Sequence, residues 1–144
     1  MASAFALVFG AISGANAASV TKSEITSILE ERGFNVQDFS NQDVMVDVQG
    51  YKIIITIDGP DGDVTYRTWL NGVSSTDLGY KFLNNFNNEV KFGRAYIDRD
   101  GDVTIQMDRN SAGGVSAENI ESDFDVFLML VSKFLSDLEA QAVA

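Results

Sequence analysis

The stretch SAENIESDFDVFLMLVSKFLSDL, Ser116–Leu138, decides the fold. Ile120, Phe124, Phe127, Val131, Phe134 and Leu138 recur at alternating steps of four and three, which lays a continuous apolar seam along one side of an α-helix. Leu128, Leu130 and Leu135 widen that seam. Ser116 is the expected N-cap, and Glu118 and Glu121 stand in the first turn, where the helix dipole favours carboxylates. A face this broad cannot stay in water and calls for a sheet beneath it.

The strands needed to build that sheet lie upstream. Phe92–Asp98 and Asp102–Asp108 alternate apolar and polar residues and meet at Asp98-Arg99-Asp100-Gly101, a strong hairpin signal. Before them, Leu78, Phe82, Leu83, Phe86 and Val90 keep helical spacing, so a helix is expected from Thr76 or Asp77 to about Val90. Asn84, Asn85, Asn87 and Asn88 are poor helix formers and predict that its second half frays.

Val44, Val46 and Val48 alternate with Met45, Asp47 and Gln49, then Gly50 breaks the run. Tyr51–Asp58 is β-branched on both faces, as expected of a central strand, and Gly59–Asp63 is a turn. Val64–Leu70 makes a third strand, with Tyr66, Arg67 and Trp69 alternating by face. Thr21-Lys22-Ser23-Glu24 has capping-box spacing, Ile25, Ile28 and Leu29 form a stripe, and Gly33 suits a C′ residue; a helix over about 22–32 follows. The order is α-β-β-β-α-β-β-α, an α+β domain with an antiparallel sheet of about five strands flanked by helices. The likeness of Ile57–Thr65 to Ile97–Thr104 is that of two hairpins sharing turn chemistry.

Residues 1–20 carry no charge. Ala4–Ile12 is an apolar run of signal-peptide length, too short to span a bilayer, and Ala15-Asn16-Ala17 supplies an A-x-A cleavage site. No Lys or Arg precedes the run, so the basic leader of such a segment is missing; Gly10 and Gly14 weaken the alternative of a buried N-terminal helix. The expected organisation is a signal peptide over 1–17 and one domain over 18–144.

The whole formal charge of −11 then falls on the exported domain. That charge repels phosphate backbones and anionic headgroups, which argues against nucleic acid and against membrane attachment once the segment is removed. With neither Cys nor His, disulfides, the commonest nucleophile–base pairs and most zinc, haem and iron–sulfur sites are excluded. Carboxylates remain. Asp98, Asp100 and Asp102, echoed by Asp61 and Asp63, are hard-oxygen candidates for calcium. The EF-hand register is wrong, because the sixth and twelfth positions from Asp98 hold Val103 and Arg109 instead of Gly and Glu, and Asp-Gly is also ordinary turn chemistry.

Nothing makes two acids converge as a hydrolase requires, and Gly113-Gly114 has no Lys after it as a phosphate loop would. No catalytic residue and no cofactor are expected. Tyr66, Trp69 and Tyr96 are candidates for a contact surface on a sheet face, against core packing as the ordinary fate of strand aromatics.

The phrases Asn88–Asp98 (NEVKFGRAYID), Asp100–Val103 (DGDV), Met107-Asp108, Ala112–Val115 (AGGV) and Ser116–Ile120 (SAENI), with the element order, resemble the YbjN family of bacterial proteins. The resemblance spans about residues 20–138 and is strongest from 85 to 125. It implies a fold like that of type III secretion chaperones, whose helix-flanked sheet binds protein partners. Family members are described as sensory transduction regulators, and no catalytic motif is attached to them. This sequence departs from cytoplasmic members in its export segment.

The expectation is a bacterial, periplasmic or secreted, non-catalytic protein-binding or chaperone-like regulatory module. Its partners would be an unidentified protein and, through the wide face of the last helix, a second copy of itself. The alternative is a small-ligand or calcium-binding domain built on the acidic turns.

Overall fold

The computed structural model describes residues 19–143. The expected signal peptide over 1–17 lies outside them. The described chain runs α1 (Lys22–Glu31), β1 (Val36–Asp38), β2 (Asp43–Val48), β3 (Tyr51–Asp58), β4 (Asp63–Trp69), α2 (Ser75–Glu89), β5 (Gly93–Ile97), β6 (Val103–Arg109) and α3 (Ala117–Val143). The strands form one six-stranded sheet in the order β1-β2-β3-β4-β6-β5, antiparallel at every pairing.

Six strands replace the five expected. The addition, β1, pairs Val36–Asp38 with Val44–Val46 and is only three residues long, too short to show a period of two.

Local chemistry explains the boundaries. Thr21 and Glu24 close a capping box, with the Glu24 amide donating to Thr21 Oγ1 at 3.3 Å and the Thr21 amide donating to Glu24 Oε2 at 2.8 Å. At the other end Gly33 adopts φ 85°, and the Phe34 amide reaches back to the Leu29 carbonyl at 3.0 Å. α2 starts at Ser75, one or two residues before the expected Thr76 or Asp77, because Ser74 Oγ accepts from the Asp77 amide; Gly79 at φ 74° then kinks it.

The Asn-rich half of α2 does not fray but stays helical to Glu89. Asn87 is the reason. Its Nδ2 donates to the Ala95 carbonyl at 2.9 Å and its Oδ1 accepts from the Ala95 amide at 2.8 Å. One side-chain amide thus takes the place of a neighbouring strand and closes the outer edge of β5, a tertiary gain that outweighs the low propensity.

The helices share one face of the sheet and one core. Ile25 and Leu29 of α1, Leu83 and Phe86 of α2, and Ile120, Phe124, Phe127, Val131 and Phe134 of α3 meet Val44, Val46, Ile53, Ile55, Val64, Tyr66, Val103 and Ile105. Edge-to-face ring pairs fix the helices: Phe34 on Phe124 at 5.0 Å, and Phe82 and Phe86 on Phe134 at 5.2 and 5.1 Å. Each fully buried Leu, Ile or Phe contributes about 1.5–3 kcal/mol. The α3 seam is therefore spent inside the chain on its own sheet.

Candidate functional site

Strand alternation puts the second set of side chains on the face away from the helices. The register gives two rows across it: Met45, Ile54, Arg67, Gln106 and Arg94 in one, and Asp47, Lys52, Trp69, Thr104 and Tyr96 in the next. No helix covers this face among the described residues. Trp69, Arg67 and Tyr96 are half-buried, and Lys52 and Arg94 are exposed.

Tyr66 does not belong to this face. It is 0% exposed, stacked on Phe127 at 5.9 Å, and so is no part of a contact surface. The cause is the strand period: residues three apart point to opposite sides, so Tyr66 and Trp69 cannot share a face. Burial pushes the Tyr66 phenol far up, with the Asp123 carboxylate adding and Arg109 opposing, and its hydroxyl has no hydrogen-bond partner among the described residues.

Trp69 is fixed by the adjacent turn. Its Nε1 donates to Asp98 Oδ2 at 3.1 Å, and the buried Thr104 hydroxyl donates to the same oxygen at 3.1 Å. Asp98 Oδ1 accepts from the amides of Asp100 and Asp102, each at 3.0 Å. Desolvation raises the Asp98 carboxyl, but these hydrogen bonds, the Asp102 and Asp100 amides foremost, together hold it below the usual carboxylate range. Its oxygens are thus committed to the hairpin. Asp100 and Asp102 contribute backbone amides to this arrangement and stand exposed. Among the described residues no group of three or more Asp or Glu is placed to hold a metal ion, so the three acidic turn residues do not form a calcium cage.

Arg67 is the residue sequence reasoning passed over. Its guanidinium carbon lies 5.8 Å from the Trp69 ring centroid, and Arg94 lies over Tyr96 in the same way at 5.3 Å. Arg32 and Arg109 are paired with Asp125 and Asp123, and Arg94 reaches Asp108 at 3.9 Å. Arg67 has no carboxylate within 4 Å among the described residues, and its Nε is buried without a partner. Its i, i+2 spacing with Trp69 was the available signal.

Arg67, Trp69, Tyr96, Asp98 and Arg99 line a shallow cavity of about 590 Å³. A cavity of about 540 Å³ between the starts of α1 and α3 is lined by Ser23, Glu24, Ser27, Glu31 and apolar residues, with no cation and no aromatic ring. The open face is thus the better equipped for recognition. Among the described residues no helix is long and apolar enough to cross a membrane.

A family model named YbjN and described as "Putative bacterial sensory transduction regulator" matches residues 21–140. Among solved structures, the chain is similar to one titled "Crystal structure of YbjN, a putative transcription regulator from E. coli", at a TM-score of 0.70 and 13% identity, covering 85% of this chain and 94% of that one. At that identity the likeness carries the fold. Comparison with curated proteins gives no match.

Proposed function

The chain belongs to the YbjN family, and on that premise we propose that it is an exported, non-catalytic regulatory module that acts by binding another protein. The observation that carries this reading is the sheet face that no helix covers among the described residues, where Trp69 and Tyr96 sit beside Arg67, which has no carboxylate within 4 Å among those residues. Aromatic rings and arginine are the side chains that dominate protein–protein contacts, the rings because they bury much area at little entropic cost and arginine because its planar guanidinium both stacks and donates several hydrogen bonds. The Ala15-Asn16-Ala17 site supports export.

The test is photo-crosslinking in the producing bacterium. A photoreactive phenylalanine analogue at position 96 samples the open face, and the same analogue at position 129, where Met129 is 62% exposed on α3, samples the opposite side. Discrete adducts from 96 and none from 129 support the reading. Equal labelling from both, or none from 96 in a folded protein, overturns it. Intact mass of the uncrosslinked chain recovered from the same cells reads export, with a chain starting at Ala18 expected.

A further inference from the structure

We propose that Asn71 is a site of spontaneous covalent modification, at which the Gly72 amide nitrogen closes on the Asn71 side chain and leaves an aspartyl or isoaspartyl residue in its place. The inference stands apart from the protein-binding reading above, because it rests on one surface turn.

The chemistry needs an unshielded backbone nitrogen next to a side-chain amide carbon. The Gly72 amide gives its proton to hydroxide, its nitrogen bonds to Asn71 Cγ, and the Cγ–Nδ2 bond breaks as ammonia leaves with a proton from water. Water then opens the five-membered succinimide. Opening at Cγ yields aspartate, whereas opening at the main-chain carbonyl yields isoaspartate, whose backbone runs through the β-carbon. The sum is an asparagine and water giving a carboxylic acid and ammonia, so the one co-reactant is solvent.

The turn between β4 and α2 meets those needs. Asn71 and Gly72 are both exposed. One backbone hydrogen bond closes the turn, from the Val73 amide to the Leu70 carbonyl at 3.2 Å, and the Gly72 amide has no partner among the described residues. Gly72 stands at φ 84°, with nothing within 4 Å of the place a Cβ would take. Its nitrogen is therefore neither engaged nor crowded, and the turn can adjust at small cost.

The other asparagines among the described residues fail one requirement or the other. The amides that follow Asn41, Asn110 and Asn119 donate to Ser40 Oγ at 3.2 Å, Asp63 Oδ1 at 2.8 Å and the Ser116 carbonyl at 3.2 Å. Those that follow Asn84, Asn85, Asn87 and Asn88 lie in the body of α2, where helical bonds hold them. Asn35 is followed by Val36, whose β-branched side chain crowds the nitrogen. The Asp-Gly pairs could close the same ring, but their glycine amides are engaged. Gly59 donates to Asp58 Oδ1 at 2.7 Å, Gly62 to the Gly59 carbonyl at 3.3 Å and Gly101 to the Asp98 carbonyl at 3.2 Å. A carboxylate, ionised at neutral pH, also resists attack by an electron-rich nitrogen. The product adds a negative charge two residues past Trp69, and its isoaspartyl form lengthens the main chain just before the Ser74 cap of α2.

The test incubates the purified full chain in mildly alkaline buffer beside a free peptide spanning Arg67–Asp77, whose one asparagine is Asn71. Intact mass and peptide mapping follow both. Each is expected to gain about 1 Da at position 71, in two chromatographically distinct products, at a rate that rises with hydroxide. Because a turn closed by one bond opens readily, the folded chain is expected to react at no less than about a tenth of the peptide's rate. In Asn71→Ser the first mass increment is expected to vanish. A folded chain slower than about a tenth of the peptide overturns the inference, since the turn would then protect the site. A first increment mapped to any other asparagine, or one that persists undiminished in Asn71→Ser, overturns it as well.

Discussion

Replacing Asp98 with alanine removes one carboxylate and four hydrogen bonds. Two of the donors, the amides of Asp100 and Asp102, lie on an exposed turn and are rehydrated at small cost. The other two are less fortunate. The Thr104 hydroxyl is 0% exposed, and the Trp69 indole is half-buried above it. Leaving a buried donor unsatisfied costs about 1–3 kcal/mol, and a half-buried one less, so Asp98→Ala is expected to lose about 2–4 kcal/mol. For a domain whose whole stability is of order 5–15 kcal/mol, that is a large fraction.

Asp98→Asn keeps a carbonyl oxygen for the turn amides but faces the indole N–H with a second donor; about 1–2 kcal/mol is expected. Urea unfolding followed by circular dichroism, with Trp69 fluorescence as the local probe, measures both. The pH dependence is a second readout. The folded carboxyl is held below its unfolded value, so its contribution is fully present above the unfolded pKa and is lost as pH falls through the folded one. The acid limb of the stability curve should therefore flatten in Asp98→Ala. A loss under about 0.5 kcal/mol, or superimposable acid limbs, would refute the reasoning.

Asn87→Ala removes both bonds to Ala95 and opens the β5 edge; about 1–2 kcal/mol of lost stability and association beyond that of the parent are expected by unfolding and light scattering, against an unchanged oligomeric state if the edge needs no guard. Gly62→Ala should cost more than about 1 kcal/mol, since Gly62 has φ 71° and an added Cβ would lie 2.1 Å from the Val20 carbonyl oxygen. Gly101→Ala, at φ 91° in open space, is the control that carries backbone strain alone. Tyr66→Phe removes a buried hydroxyl that has no partner among the described residues, so thermal unfolding should show no loss and at most a small gain; a drop of several degrees would mean that the hydroxyl is satisfied in solution.

The elements with strong periodicity were legible from residues alone. The 4-3 seam of α3, the Thr21–Glu24 box and the alternation of β2 and β6 each report a local constraint that tertiary packing reinforces. β1 was not, because three residues held by pairing to β2 have no pattern of their own. The fate of Asn87 was hidden for a different reason: propensity weighs a residue against its helix, whereas this one is held by Ala95, eight positions on. At the candidate site the sequence held more than was read from it. Period two already separates Tyr66 from Trp69 and joins Trp69 to Arg67, and the Asp-rich turn reads as a ligand cluster only until its carboxylate is seen accepting bonds from its own hairpin.

Where a partner can attach follows from what the fold has already used. The wide face of α3, which first suggested pairing with a second copy, is consumed by Tyr66, Ile55, Ile105 and the other helices. Strand addition at β5 is closed by Asn87, and at the opposite edge β1 offers only three residues, too few for a stable ladder. Recognition by main-chain pairing is therefore poorly served at either end of the sheet. Recognition by side chains is well served on its open face, where the Trp69 ring, held by Asp98, and the Tyr96 ring, held by Gln106, stand in one cavity with a guanidinium that has no carboxylate within 4 Å among the described residues.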